Sequence, residues 1–314
     1  MLLASISRVK AEPKCSGRHV PDCKFITSRM VDNEQFLSRF GPLPDEQWLA
    51  TLLRSTKESM VDGLIFPSFP GAALQRSFVG ASGEEALREA FVFYREIKRY
   101  AAMLRIPIDR NTRVLDFGCG WGRFYRFFLR DVAVANLLGV DVDQGCIDLC
   151  HSTIGMGRFE KCDVRPPLAS AANASFDLVY AYSVFSHLSE ETAFVWIKEF
   201  ARILRPGGML IITTLKQAHI DVWDRKMQSG GVHWQEALRM SGFSGPKFRS
   251  NFEAGTFLYC GIGGGGVRTA DYYGEAIIPP RYVLRSWAPE FQLRAYVSED
   301  KRGPQAIIVA IKVA

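Results

Sequence analysis

The sequence predicts an α/β protein built on a doubly wound, mostly parallel sheet. Three observations carry that reading. Apolar strand-like runs alternate with helical stripes from Arg113 to Leu215, a glycine-rich turn follows the first run, and acidic residues end the next ones. Apolar strands separated by helices belong to a parallel sheet covered on both faces.

The elements follow in chain order. Residues 1–32 are mildly basic, lack periodicity, and read as an arm or loose cover. Helical pattern appears around Asn33–Phe40 and returns at Asp45–Ser55, where Trp48, Leu49, Leu52 and Leu53 share one face. Gly63–Gly80, rich in Pro, Gly and Phe, reads as an irregular connection. Ser82 and Glu85 have capping-box spacing ahead of a long helix. In it Leu87, Ala90, Phe91, Tyr94, Ile97, Ala101 and Leu104 repeat with helical period until Pro107 stops it.

Strands are expected at Arg113–Phe117, Asn136–Asp141, Arg158–Cys162, Phe176–Ala181 and Met209–Leu215. Between the last two, Ala193, Phe194, Ile197, Phe200, Ala201 and Leu204 form a helical stripe ended by Arg205-Pro206-Gly207-Gly208. Lys216–Pro280 breaks the rhythm with Gly255, Gly261, Gly263–Gly266 and Gly274, many aromatics and short extended runs such as Thr256–Cys260. It reads as an insertion containing a hairpin. Pro280–Trp287 suggests a short helix, and Phe291–Val297 with Gln305–Val313 a closing strand pair around the turn Glu299–Pro304. The resulting divisions are an arm and helical cover (1–81), a cofactor-binding core (82–215), an insertion over the substrate (216–280) and a closing helix and strand pair (281–314).

Composition narrows the class. A chain of 314 residues with 47% hydrophobic and 12% aromatic content buries a sizeable core. A net charge of +6 is too small to argue for nucleic acid. The seven cysteines are scattered: Cys15 and Cys23 are too far apart for a metal knuckle, and Cys146 and Cys150, one turn apart, suit a buried helix face. No metal site is expected, and a reducing compartment fits best. The apolar run at the N-terminus is short for a signal peptide, and no stretch reaches the length of a membrane helix. The expectation is a soluble cytoplasmic protein.

Val114–Phe124 (VLDFGCGWGRF) is strand, tight turn, then helix. Gly118, Gly120 and Gly122 allow positive backbone angles and close approach of a ligand. The dinucleotide fingerprint needs a further glycine where Arg123 stands, and phosphate-binding grammar is missing, which disfavours an NAD-dependent oxidoreductase. Asp141 ends the second strand, where a carboxylate accepts hydrogen bonds from a ribose diol; Asp163 ends the third, within reach of an exocyclic amine; Asp116 ends the first, beside a ligand's ammonium. An acid-rich ring suits a cofactor with ammonium and sulfonium groups and no phosphate. Each acid also has a local explanation as a helix cap or strand-end residue.

VLDFGCGWGRF, LLGVDVD, CDV, FDLVYAYSVFSHL and LRPGGMLIITT resemble the successive motifs of class I S-adenosylmethionine-dependent methyltransferases. The resemblance covers roughly residues 90–215 and implies a seven-stranded sheet whose last strand is antiparallel. It also implies S-adenosylmethionine as cofactor, with S-adenosylhomocysteine as product. Asp116, Phe117, Gly118, Gly120 and Gly122 would line the methionine end, Asp141 the ribose and Asp163 the adenine amine. Val142 and Val164 would sandwich the adenine ring, and Tyr182 would border the cofactor.

Ala181–Leu188 lacks the Asn/Asp-Pro-Pro-Tyr/Phe pattern of enzymes methylating adenine or glutamine nitrogen, and no Pro-Cys pair serves cytosine chemistry. The expected acceptor is a small molecule or glycosyl group, with oxygen favoured. Methylation at nitrogen, or of a glycolipid or polysaccharide end, and a non-catalytic cofactor-binding subunit remain alternatives. His187 is the best-placed base, or else packs ahead of the helix capped by Ser189; His219 and His233 are weaker candidates. Tyr94, Phe257 and Tyr259 are candidate acceptor-binding residues, each equally at home filling a core.

Overall fold

The computed structural model describes residues 33–313, so the arm at 1–32, with Cys15 and Cys23, lies outside the described residues. Helices α1 (Glu34–Phe40) and α2 (Asp45–Ser55) open the described chain. A two-stranded ribbon, β1 (Met60–Val61) and β2 (Leu64–Ile65), leads to α3 (Ala72–Val79) and the long α4 (Gly83–Met103). The stretch Gly63–Gly80 is therefore ordered in part as a strand and a helix. Gly71 and Gly80, which mark it as irregular in sequence, are the caps of α3. The capping box at Ser82 does not form. Ser82 Oγ instead accepts a bond from Arg76, and the Gly83 amide donates to Gln75 Oε1 at 2.9 Å.

The alternating core contributes β3 (Val114–Phe117), α5 (Tyr125–Phe128), β4 (Leu137–Asp141), α6 (Gln144–Ile154), β5 (Arg158–Lys161), β6 (Phe176–Ala181), α7 (Glu190–Ile203) and β7 (Leu204–Thr214). The insertion contributes α8 (His219–Ser229), α9 (Val232–Met240), α10 (Gly245–Ala254), β8 (Leu258–Cys260) and β9 (Glu275–Ile277). The chain closes with α11 (Pro280–Ser286), β10 (Phe291–Val297) and β11 (Ala306–Lys312). The seven-stranded sheet runs in the order β10-β11-β7-β6-β3-β4-β5. Pairing is parallel from β7 to β5, and β11 is antiparallel to both its neighbours, as the resemblance implies.

Alternation along the strands divides the interior into two layers. Val114, Leu137, Leu178 and Tyr180 face one core with α4 and α5; Leu115, Phe117, Leu138, Val140 and Val179 face the other with α7 and α11. The first layer includes Phe36, Phe40, Trp48 and Phe66, so the N-terminal helices share the core of the sheet. Among the described residues no helix is long and apolar enough to cross a membrane.

Two sequence expectations change. The Pro-Gly-Gly segment does not follow the helix as a turn; β7 starts at Leu204 and takes those residues in as an irregular stretch of its pairing with β6. The insertion holds a hairpin, as expected, but also three helices around Trp223, Leu238, Phe243 and Phe248. Its glycines punctuate those helices: Gly255 caps α10 in the left-handed conformation, φ 77°.

Trp48 is fully buried against Phe36, Phe40 and Phe66 and donates its indole N–H to the Phe127 carbonyl at 3.0 Å. Trp48→Ala is expected to cost about 3–5 kcal/mol in urea unfolding and to keep a single transition. A loss below about 1 kcal/mol would show that α1 and α2 do not share the core.

Candidate active site

The glycine loop sits where β3 meets the end of β4. The amides of Gly118 and Cys119 both donate to the Val140 carbonyl, at 2.8 and 2.9 Å. Gly120 donates to Asp141 Oδ2 and Asp143 to Asp141 Oδ1, each at 3.0 Å. Asp141 thereby ties the loop to the turn after β4. Burial, with the Asp143 carboxylate beside it, holds its pKa above the usual carboxylate range although the two amides and Arg268 oppose the rise.

The three glycines serve different needs. All have positive φ, 75°, 55° and 72°. A Cβ on Gly118 would run into Val184, and one on Gly122 into Ile154 and the Cys150 sulfur, so packing as well as backbone angle demands glycine there. Gly120 has open space, with only Phe78 at 3.8 Å.

Asp116 lies beneath the loop, 2% exposed, directly across from Tyr180 in the sheet register. Its Oδ2 and the Tyr180 hydroxyl meet no hydrogen-bond partner among the described residues. Burial pushes the Asp116 pKa up to about 7 and Asp141 adds to the rise, while Tyr180 and Arg123 oppose it. An orphaned buried carboxyl beside a second acid calls for a cationic ligand.

His187 follows the end of β6. Its Nδ1 lies 2.7 Å from the Gly274 carbonyl, which only accepts, so Nδ1 carries the hydrogen and Nε2 keeps its lone pair. Nε2 lies 3.5 Å from Ser183 Oγ, and Tyr273 stacks on the imidazole at 4.9 Å. Surrounding protein lowers the His187 pKa, reinforced by Arg268 and His219 and opposed by Gly274 and Glu275. Ser183 has a positive φ of 59°, a strained angle for a residue with a side chain. Its amide donates to Thr213 Oγ1 at 2.7 Å and its Oγ accepts from Gln305 at 2.8 Å. Val184 against Gly118 joins this segment to the glycine loop.

Residues 114–208 match a family model described as a methyltransferase domain. Residues 114–208 are thus a methyltransferase domain, and the strand order around them is that of the class I S-adenosylmethionine-dependent methyltransferase fold. Its cofactor is S-adenosylmethionine, and the acid ring and the orphaned Asp116 fit that molecule's ammonium, sulfonium and ribose.

The methyltransferase is 26% identical over 206 residues to the malonyl-[acyl-carrier protein] O-methyltransferase of Paenibacillus sp. (strain JDR-2), covering 56% of this chain and 72% of that one. Over 110 residues it is 32% identical to the ubiquinone biosynthesis O-methyltransferase of Parvibaculum lavamentivorans, covering 34% of this chain and 42% of that one. It thus spans less than half the length of the second relative. A crystal structure of an S-adenosylmethionine-dependent methyltransferase from Clostridium acetobutylicum is similar with a TM-score of 0.47 at 11% identity, over 77% of this chain and 97% of that one.

Of the residues singled out in the sequence, Asp116, Gly118, Gly120, Gly122 and Asp141 come together in this methyltransferase. Val142 and Val164 are half-buried on turns after β4 and β5, and Asp163 is exposed beside Val164. Tyr182 donates its hydroxyl to Glu89 on α4 at 2.9 Å, and Arg123 lies over its ring at 5.3 Å. Phe117 directs its ring into the second core against Trp196, leaving only its main chain on the loop. Tyr94 is not at the site: it is fully buried among Phe91, Phe127 and Phe128 and bonds Asp131 at 2.5 Å. Phe257 packs edge-on to Tyr282 in the second core, and the Tyr259 hydroxyl donates to the Ala270 carbonyl. His219 bonds Glu275, and His233 meets the Ile262 carbonyl. Arg268, Glu89, Gln305 and Gly274 carry no local motif, and only the folded chain brings them in.

Gly122→Ala forces a positive φ on a side chain facing Ile154 and Cys150. It is expected to lower thermal stability by about 1–3 kcal/mol. An unchanged melting temperature would mean that α6 yields freely at this contact.

Proposed function

We propose that this methyltransferase transfers the methyl group to a hydroxyl oxygen of a small organic acceptor, with His187 as general base. The observation that carries the reading is the Gly274 carbonyl on His187 Nδ1, which leaves Nε2 free to take a proton. In support, the two relatives described above are named O-methyltransferases.

Bound S-adenosylmethionine supplies an electrophilic methyl carbon on a sulfonium, and its sulfur leaves as a neutral thioether. The chain must place an acceptor oxygen in line with that carbon and receive the oxygen's proton. Nε2 of His187 takes the proton as the new carbon–oxygen bond forms. The stacked Tyr273 ring and the Gly274 carbonyl hold the imidazole in one plane and tautomer, and the carbonyl stabilises the imidazolium through Nδ1. Asp116 meets the ammonium end, Asp141 the ribose, and Asp163, Val142 and Val164 the adenine. Tyr182 borders both ligands, with its orientation set by Glu89 and Arg123. The aromatic residues of the insertion next to His187, Tyr273 above all, form the acceptor's apolar wall.

Calorimetry with S-adenosylhomocysteine tests the donor side. Asp141→Ala should weaken binding by about 1–3 kcal/mol. Unchanged affinity would place the ribose elsewhere.

Turnover tests the base. His187→Gln should lower turnover by about 10²–10⁴-fold with donor affinity retained. A lowered pKa places the acid limb of the turnover profile below that of an ordinary imidazole, so turnover should fall only on acidification and regain nothing on further acidification. An active His187→Gln enzyme with an unaltered acid limb would remove His187 from the reaction.

A further inference from the structure

His187 is held from two sides by different means. On the Nδ1 side the hold is main chain. The Gly274 amide donates to the His187 carbonyl at 2.7 Å, and the Ala276 amide to the Ser186 carbonyl and the Ser189 amide to the Tyr272 carbonyl, each at 2.8 Å. On the Nε2 side it is a chain of side chains. The Ser183 amide donates to Thr213 Oγ1, which leaves the Thr213 hydrogen for Gln305 Oε1 at 2.6 Å. With its oxygen so engaged, Gln305 turns its Nε2 donor to Ser183 Oγ at 2.8 Å.

Ser183 therefore has one hydrogen to give and two neighbours to receive it, Ser186 Oγ at 3.4 Å and His187 Nε2 at 3.5 Å. Both are long hydrogen bonds, so distance does not choose between them. The pairing of the neighbours does. The Ser186 hydroxyl is fully buried and has, among the described residues, no hydrogen-bond neighbour but Ser183 Oγ. If Ser183 donated to it, the Ser186 hydrogen and the His187 lone pair would both lack a partner. If Ser186 donates to Ser183 and Ser183 to Nε2, every group is paired. A hydroxyl that receives two hydrogen bonds is also the stronger donor for the third.

We propose that Ser183 is a positioning residue for His187: aimed by Gln305 and Thr213, its hydroxyl donates to Nε2 and stands in for the acceptor's hydroxyl until the acceptor arrives. Its part in turnover rests on His187 being the base. A donor on Nε2 stabilises the neutral imidazole, the form that a base needs. It works in the same direction as the burial that lowers this histidine's pKa. An entering hydroxyl then replaces one O–H donor by another at the same lone pair. Gln305 comes from the stretch just ahead of β11, so the closing strand pair takes part in setting the base.

The titratable and charged groups that face His187 are Glu275 on β9, Arg268 and Tyr273 in the loop before it, and His219 on α8. None of these four bonds Ser183, Thr213 or Gln305, so variants of the network leave them in place. The test follows the imidazole by NMR titration of the full chain in wild type, Ser183→Gly, Gln305→Glu and the double variant. Glycine suits the φ of 59° at position 183. Ser183→Gly should raise the His187 pKa by about half to one pH unit, the size of one lost neutral hydrogen bond, and carry the acid limb of turnover up with it. Gln305→Glu offers Ser183 an acceptor in place of a donor and turns the hydroxyl away from Nε2. Its charge acts with or without the serine, so its upward shift should be larger alone than when added to Ser183→Gly. A wild-type or lower His187 pKa in folded Ser183→Gly, or equal shifts from Gln305→Glu with and without the serine, would overturn the proposal. If the NMR shifts appear while His187→Gln keeps full turnover, the positioning of the imidazole stands and the base falls, so the two readings fail separately.

Discussion

Asp141 accepts one amide hydrogen from the glycine loop and another from the turn that follows its own strand. Because a charged acceptor strengthens both bonds, the carboxylate adds to the Val140 carbonyl in tying the loop to the end of β4. Gly120, the one loop glycine with open space beside it, is held by this contact. Arg268 then approaches from the insertion onto the same acid pair. The site is organised outward from one side chain.

The second organising element is the turn after β6. Ser183 takes a strained backbone angle that redirects the chain between the glycine loop and the insertion. That angle is stabilised by Thr213 and Gln305, whose side chains bond Ser183 and each other. Strain of this kind persists where the surroundings over-determine the conformation, and here it brings Val184 to Gly118 and His187 to Gly274.

Strands β3, β4 and β6 were legible because all or nearly all of their residues are buried, and the loop glycines because only that residue tolerates their angles. Asp116 and Asp141 were legible from their place at strand ends. The insertion was not, since short helices separated by glycines resemble irregular chain. Tyr94 shows a further limit. Periodicity identifies the buried face of α4, but the step of five positions from Glu89 to Tyr94 separates their heights by about 7–8 Å, and only Glu89 bonds Tyr182. Arg268 pairs with Asp143 across 125 positions, and His187 with Gly274 across 87, so no local pattern announces either.

The His187 contact is made by a main-chain carbonyl, which every amino acid possesses. Replacing the side chains around Gly274 therefore leaves the acceptor of the Nδ1 hydrogen in place. Under the role proposed for His187, the aromatic side chains of the loop can change while the carbonyl that fixes the imidazole tautomer stays in place. In such a scaffold the chemistry is stored in the backbone and the selectivity in the side chains, and the two can diverge at separate rates.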